Sequence, residues 1–234
     1  MGNDMTLVLF DIDGTLIQTG GAGSTAMRRA GARLFGIPDL FKGRSFAGIV
    51  DDGIVGGAMA AAGIPPTPRR LGRFKQTYLR YLKRHIHEHP GRAMPGVHAA
   101  VKACAGRALV GLQTGNWRVG AETKLEHFGL WMPFDHGIGG FGCDASERPG
   151  LMPAALRRAQ RHGWQGGRVV VIGDTPADVT CARVGVAAWT GPAVDLVTVA
   201  VDTGRPTRAE LEASTPDLLL DDLAVGLKDL LALL

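Results

Sequence analysis

The chain has 234 residues, of which 45% are hydrophobic and 21% are charged, and its formal net charge at pH 7 is +4. This length suits one large domain or one domain with a smaller domain inserted, and the apolar content can fill a sizeable core. No apolar run approaches the roughly 20 residues of a membrane span, and no leader with a charged and an apolar region precedes the first strand. We therefore expect neither a membrane partner nor secretion.

The use of cysteine and arginine limits the cellular compartments and the binding partners that we expect. The cysteines are odd in number and form no CxxC pair, so we expect a reducing, cytoplasmic compartment rather than a disulfide framework or a structural zinc site. Arginine pairs are scattered along the chain instead of clustered in one tract, which is typical of solvated helix faces. We expect no nucleic-acid partner, whereas the mild positive charge would suit an anionic small substrate.

The first element in chain order is a strand, and a long helical stretch follows it. The strand is the apolar run Leu7-Val8-Leu9-Phe10. Over about residues 18–92, apolar residues recur at a spacing of three or four, which predicts a bundle of three helices. These helices cover about residues 26–34, 54–62 and 71–86. The flexible segment at 20–23 predicts a hinge at the start of the bundle.

From Pro95 onward, strands and helices alternate. Helices are predicted at about 95–105, 119–128, 152–161 and from 176, with a closing apolar helix at 224–234. Strands are predicted at 108–112, weakly at 136–140, and at 168–172, 196–201 and 218–220. Apolar strands that alternate with helices predict an α/β fold whose parallel sheet is covered on both faces. Ligands of such sheets bind beyond the carboxyl ends of the strands.

Polar residues follow three of these strands at their carboxyl ends. Asp11 and Asp13 follow the first strand, Thr114-Gly115-Asn116 follows the second, and Asp174 follows the strand at 168–172. Two carboxylates placed close together repel each other, and one must take up a proton unless a cation neutralises the pair. A hard divalent ion such as Mg²⁺ takes oxygen ligands of this kind. The pattern predicts a carboxylate nucleophile assisted by a metal ion.

With Asp-x-Asp-Gly-Thr-Leu after one strand and Gly-Asp-Thr-x-x-Asp after another, the chain resembles phosphatases of the haloacid dehalogenase-like superfamily. Four ordered motifs carry the resemblance over nearly the whole length, and it points to the C1-capped branch that includes phosphoglycolate phosphatase. It implies a Rossmann-like catalytic core of residues 1–17 and 93–234, with helices on both faces of a parallel sheet. It also implies an inserted all-helical C1-type cap of residues 18–92.

The resemblance also implies the reaction and the roles of the first motifs. The expected reaction is Mg²⁺-dependent hydrolysis of a small phosphorylated metabolite, a phosphate monoester, through an aspartyl-phosphate intermediate. Asp11 would be the nucleophile, and Asp13 would be the general acid and base, with a further contact from Asp13 to the metal through its backbone carbonyl. The hydroxyl of Thr114 and the backbone N–H groups of Gly115 and Asn116 would hold the phosphoryl oxygens.

The later motifs complete the expected site and contain two departures from the family pattern. Asp11 and Asp174 would be carboxylate ligands of the metal, and Asp178 would either bind the metal directly or orient a metal-bound water. Arg148 stands where the family has a lysine that neutralises the nucleophile and the phosphate; arginine stays charged and can bind phosphate through two N–H groups. The segment at 48–51, which includes Val50, lacks the cationic substrate contact that relatives often carry there.

Other functions stay open at this point. A sugar phosphomutase would use the same nucleophile, and a phosphoryl-binding regulatory module with little turnover would explain the unusual Arg148 and Val50. A haloalkanoate dehalogenase is disfavoured because its chemistry needs neither Asp13 nor the metal site at Asp174. A phosphonatase needs a Schiff-base lysine in the cap, for which there is no clear candidate. We expect a monomer or a homodimer.

Overall fold

The computed structural model of the protein describes residues 5–44, 46 and 48–234. The strands are β1 (Leu7–Phe10), β2 (Ile17–Gln18), β3 (Arg92–Ala93), β4 (Leu109–Gln113), β5 (Gly139–Gly140), β6 (Gly167–Gly173), β7 (Val194–Val201) and β8 (Leu218–Leu220). The helices are α1 (Ala22–Phe35), α2 (Asp51–Ala61), α3 (Pro68–Glu88), α4 (Val97–Ala105), α5 (Arg118–His127), α6 (Leu151–Arg161), α7 (Pro176–Ala187), α8 (Arg208–Ala213) and α9 (Leu227–Leu231). Single 3₁₀ turns lie at Met132–Phe134 and Arg148–Gly150. In the described ranges, no helix is both long and apolar enough to cross a membrane.

A parallel sheet forms the centre of the fold, with its strands in the order β5-β4-β1-β6-β7-β8. Strand β1 lies in the middle and its residues are completely buried, as expected for a continuous apolar run covered on both faces. Val8 and Phe10 pack in the apolar cluster that includes α4, α5 and α9, whereas Leu7 and Leu9 pack in the cluster that includes α6 and α7. The predicted α/β class with a Rossmann-like sheet is confirmed.

The register of the central strands brings three strand ends to one edge. Phe10, the last residue of β1, lies opposite Leu112 of β4 and Ile172 of β6. The Asp11 N–H donates to the carbonyl of Ile172 at 2.8 Å, which extends the pairing by one residue. The polar residues that follow β1, β4 and β6 therefore meet at one edge of the sheet.

Helices α1, α2 and α3 form an insertion between β2 and β3 and have an apolar cluster of their own. In α3, Phe74, Tyr78 and Leu82 recur every fourth residue, so they share one face of the helix and are buried in this cluster. At the base of the insertion, β2 and β3 pair antiparallel, with Ile17 opposite Ala93. This arrangement fits a C1 cap. The boundaries of the predicted division, 18–92 against 1–17 and 93–234, stay a prediction.

Two elements differ from the sequence-based expectation. The predicted closing helix at 224–234 is wrong in extent, because Asp222 Oδ1 accepts the N–H groups of Ala224 and Val225 at 2.8 Å each and holds a turn in front of α9. The weak strand predicted at 136–140 is shorter than expected. It consists only of Gly139–Gly140, because Gly137, with a φ of 79°, turns the chain just before it. The uncertain tract at 185–195 contains the end of α7, a short loop and the start of β7.

The packing of the helical insertion gives a stability prediction. Phe74 is completely buried, and its ring lies 6.0 Å from that of Phe41 and 6.4 Å from that of Phe35, measured between centroids. We expect Phe74→Ala to lower the free energy of unfolding in urea by about 3–5 kcal/mol, because it leaves a cavity in this cluster. Met132→Ala, at a side chain that is 75% exposed, should change it by less than about 0.5 kcal/mol. A loss below about 1 kcal/mol for Phe74→Ala would contradict the described packing.

Candidate active site

Three buried carboxylates meet beyond the ends of β1 and β6. Oxygen atoms of Asp11, Asp174 and Asp178 lie within 4.8 Å of one another. Burial raises the pKa of Asp11 to about 7 and that of Asp174 to about 8, and repulsion from neighbouring carboxylates acts in the same direction. The cluster therefore needs cationic compensation to be fully ionised, and its oxygen donors are those that hard divalent ions take. The sequence-predicted residues Asp11, Asp174 and Asp178 are brought together here.

Two glycines make the space around Asp174. A Cβ atom on Gly14 would lie 2.2 Å from Asp174 Oδ2, and one on Gly204 would lie 1.9 Å from the same oxygen. Gly14 also has a φ of 99°, which disfavours any other residue. The hydroxyl of Thr15 donates to Asp174 Oδ1 at 3.0 Å. One oxygen of Asp174 is thus oriented by Thr15, and the other occupies a space that only glycine neighbours permit.

Arg148 lies between two of the carboxylates. Its guanidinium Nη2 donates to Asp11 Oδ1 at 2.9 Å and also to Asp178 Oδ1. Although burial favours the neutral form, the carboxylates of Asp178 and Asp11 raise the pKa of Arg148 above its usual value. Arg148 is the first residue of the 3₁₀ turn that precedes α6. This turn packs against α7, which brings the Arg148 side chain to the site. A permanent positive charge therefore lies beside Asp11, at the position where the resemblance predicted a cation.

Asp178 has no unoccupied carboxylate oxygen. Its Oδ1 accepts from Arg148, while its Oδ2 accepts the backbone N–H of Thr175 at 3.0 Å and the hydroxyl of Thr175 at 2.7 Å. The bond from the backbone N–H of Thr175 is half of the capping box that begins α7. Of the two roles predicted for Asp178, this arrangement favours orientation of neighbouring groups over direct ligation of a metal.

The loop after β4 lies across the cluster from α7 and is tightly packed. Thr114 is completely buried, and its Oγ1 accepts from Asn116 Nδ2 at 2.8 Å and from the Asn116 N–H at 3.3 Å. A Cβ atom on Gly115 would lie 2.5 Å from the carbonyl oxygen of Ile49, so this position requires glycine. Because Thr114 Oγ1 already accepts two bonds, its own proton is available to a group in the site.

Lys124 is a site residue that the sequence reasoning missed. It lies on α5 with only 4% of its surface exposed, and its Nζ is 2.8 and 2.6 Å from the two carboxylate oxygens of Asp13 and 2.6 Å from Asn116 Oδ1. Partial burial alone would raise the pKa of Asp13, but Lys124 and then Asn116 hold it below its usual value. A signal was present in the sequence, since Lys124 follows Ala121 by three residues and so lies on the apolar face of α5.

The helical insertion contacts the loop after β4 through the start of α2. The Asp51 N–H donates to the carbonyl of Gly115 at 2.8 Å, and its carboxylate accepts the backbone N–H of Trp117 at 2.9 Å. The indole N–H of Trp117 donates to Asp52 Oδ1 at 2.9 Å. Burial raises the pKa of Asp51 to about 7. The predicted cap segment at 48–51 therefore has Asp51 as its anchoring residue, where the sequence indicated only a missing cation.

Comparison with known families agrees with this geometry. A model described as haloacid dehalogenase-like hydrolase matches residues 8–183. The chain belongs to this family. A second model, of HAD-hydrolase-like proteins, matches residues 148–225. No curated protein matches the chain in sequence.

Several solved structures share this architecture over nearly the whole chain. CbbY from Rhodobacter sphaeroides, in complex with phosphate, superposes with a TM-score of 0.69 at 17% identity, over 95% of this chain and 96% of that one. A predicted phosphoglycolate phosphatase from Haemophilus somnus 129pt gives 0.65 at 19% identity, over 98% and 99%. A haloacid dehalogenase-like hydrolase from Streptococcus pneumoniae gives 0.62 at 20% identity, over 98% and 99%. The likeness covers the α1–α3 insertion, which places the fold in the C1-capped branch.

The raised pKa values give a prediction for Mg²⁺ binding. Burial raises the pKa of Asp11 to about 7 and that of Asp174 to about 8, from the ordinary value of 3.8. The metal-free protein therefore loses stability as the pH rises from the ordinary pKa to these raised values. Mg²⁺ would offset the repulsion between the ionised groups. We expect the rise in Tm on adding Mg²⁺, measured by scanning fluorimetry, to be larger at about pH 8 than at about pH 5.5.

Matched variants test whether the cluster is responsible for this effect. Asp174→Asn should lose most of the Mg²⁺-dependent rise in Tm. Asp229→Asn, at an exposed position of α9 outside the site, should keep it. An equal effect of Mg²⁺ at both pH values, or one that Asp174→Asn retains, would contradict a metal site at the cluster.

Proposed function

We propose that the protein is a Mg²⁺-dependent phosphatase that hydrolyses a small phosphate monoester through phosphorylated Asp11. The observation that carries this proposal is the buried carboxylate cluster at the tip of the central strand, with Arg148 bonded to Asp11 at 2.9 Å. Arg148 holds one oxygen of Asp11. In the described part of the chain no side chain bonds to the other oxygen, which is the one we assign to attack on phosphorus.

The residues around Asp11 can hold the phosphoryl group of the substrate. The hydroxyl proton of Thr114 is available, and the charge of Arg148 is fixed beside the nucleophile, so both can stabilise the charge on the phosphoryl oxygens. Asp11 and Asp174 would hold Mg²⁺, together with the backbone carbonyl of Asp13. When bound, the ion supplies further charge neutralisation at the phosphoryl oxygens. Asp178 would keep Arg148 and the start of α7 in place.

Asp13 is suited to the proton transfers. Its side chain is 44% exposed, whereas Asp11 beside it is buried, and we therefore assign Asp13 to the side from which the leaving group departs. In the first step, which requires Asp13 in its protonated form, an Asp11 oxygen bonds to phosphorus, and the ester oxygen leaves with the bonding electron pair and takes the proton of Asp13. In the second step, Asp13 takes a proton from water, the water oxygen bonds to phosphorus, and phosphate leaves Asp11.

The helical insertion favours a small substrate. The start of α2 contacts the loop after β4 through the bonds of Asp51 to Gly115 and Trp117, so the insertion lies next to the predicted phosphate position. Lys75 brings a cation of the insertion close to this loop, with its Nζ 5.6 Å from the centroid of the Trp117 ring. Closure of the insertion over a bound substrate would exclude water from the phosphoryl group.

The two alternatives differ from hydrolysis in what happens after Asp11 is phosphorylated. A sugar phosphomutase would return the phosphoryl group to its product, and a regulatory module would keep it. The position of Arg148 weakens the case for a module without turnover, because the charge of the missing family lysine is present and contacts the nucleophile. Inorganic phosphate release in the absence of a bisphosphorylated sugar separates hydrolysis from both alternatives.

The test is a phosphatase assay on a panel of small phosphate monoesters and p-nitrophenyl phosphate with Mg²⁺. We expect the wild-type protein to release inorganic phosphate and Asp11→Asn to lose about 10³-fold or more of kcat, because an amide cannot form the phosphoenzyme. Asp229→Asn is the matched control and should keep wild-type activity. A wild-type protein that is inactive on the whole panel, or an Asp11→Asn variant that keeps its activity, would overturn the proposal.

A further inference from the structure

Lys124 is buried in the core and all of its bonding capacity is directed at two residues of the site. Its ammonium group has three N–H donors, and Nζ lies within 2.8 Å of both carboxylate oxygens of Asp13 and of Asn116 Oδ1. A lysine that is 4% exposed is costly unless its charge is paired. The contact with Asp13 joins positions that are 111 residues apart in the sequence. Because the contact is long-range, the need to pair the charge of Lys124 constrains where Asp13 can lie.

Asn116 closes a ring of hydrogen bonds with the same two residues. Its amide oxygen accepts from Lys124 at 2.6 Å, and its amide nitrogen donates to Asp13 Oδ2 at 2.8 Å and to Thr114 Oγ1 at 2.8 Å. Each polar atom of the Asn116 amide is therefore engaged, so the side chain has a single orientation. Asp13 is held from two sides, by a charge from α5 and by an amide from the loop after β4.

We propose that Lys124 is a positioning residue for Asp13, which holds the carboxyl group at the place from which it exchanges a proton with the leaving oxygen. This inference rests on the proposed phosphatase function. Lys124 does not contact the cluster of Asp11, Asp174 and Asp178, so it acts through Asp13 and not on the transferred phosphoryl group. Arg148 thus contacts the nucleophile Asp11, and Lys124 contacts Asp13, the acid and base.

The chemistry of the leaving group gives a readout that a structural role would not move. When the bond from phosphorus to the ester oxygen breaks, an alkoxide must receive a proton from Asp13, whereas p-nitrophenolate is stable without one. The parameter kcat/KM reports formation of the phosphoenzyme, in which this proton is transferred. A misplaced Asp13 should therefore lower kcat/KM for hydrolysis of alkyl phosphates much more than for hydrolysis of p-nitrophenyl phosphate.

The experiment compares Lys124→Met with the wild-type protein on an alkyl phosphate monoester that the wild type hydrolyses and on p-nitrophenyl phosphate. We expect kcat/KM to fall about 10²-fold for the alkyl ester and less than about 5-fold for the aryl ester. In the double variant with Asp13→Asn, Lys124→Met should cause no further loss on the alkyl ester. Lys102→Met, at an exposed position of α4, is the matched control and should leave both values unchanged.

Three results would overturn the inference. An equal fall on both esters would show a general structural effect, and an additive loss in the double variant would show that Lys124 does not act through Asp13. If Lys124→Met does not fold, as judged by circular dichroism, Lys124→Gln keeps a polar group there and should show the same preference against the alkyl ester. A variant that folds without this preference refutes the proposal. Inactivity of the wild type on both esters would instead refute the proposed function on which it rests.

Discussion

The structure depends on how the negative charge at the tip of β1 is compensated. Asp11 and Asp13 follow a completely buried strand, and the neighbouring strand end adds Asp174, with Asp178 one turn further on. Carboxylates this close cannot all ionise without cations. Arg148 lies between Asp11 and Asp178, and Lys124 binds Asp13. Asp11 and Asp174 keep raised pKa values beside these cations, which marks the place where a further positive charge is needed.

The same compensation separates the two carboxylates of the first motif into different chemical states. Asp11 is buried and has a raised pKa, whereas the pKa of Asp13 is lowered by Lys124 and Asn116 although the two residues are neighbours along the chain. The two carboxyl groups of this motif therefore lie in different environments, which move their pKa values in opposite directions. The division arises because Arg148 reaches Asp11 from the turn before α6, whereas Lys124 reaches Asp13 from α5.

The loop after β4 links the two parts of the fold. Its Asn116 belongs to the hydrogen-bonded ring with Asp13 and Lys124 and also bonds to Thr114, while Gly115 and Trp117 bond to Asp51 of the helical insertion. A substrate phosphoryl group bound at Thr114 would therefore lie next to the contact that holds the insertion over the site. This proximity gives a physical route by which closure of the insertion and phosphate binding can favour each other.

The sequence alone determined the α/β class, the helical insertion and the closeness of Asp11 and Asp174, because apolar periodicity defines the strands and polar residues mark their carboxyl ends. It also placed Arg148 by its motif. Only the tertiary structure showed the contacts of Lys124, Gly204 and Asp51. Each contacts residues far away in the chain, such as Lys124 with Asp13 across 111 positions, and local patterns carry no record of such pairs. Which side chains meet depends on strand order and helix docking, and these follow from packing of the whole chain.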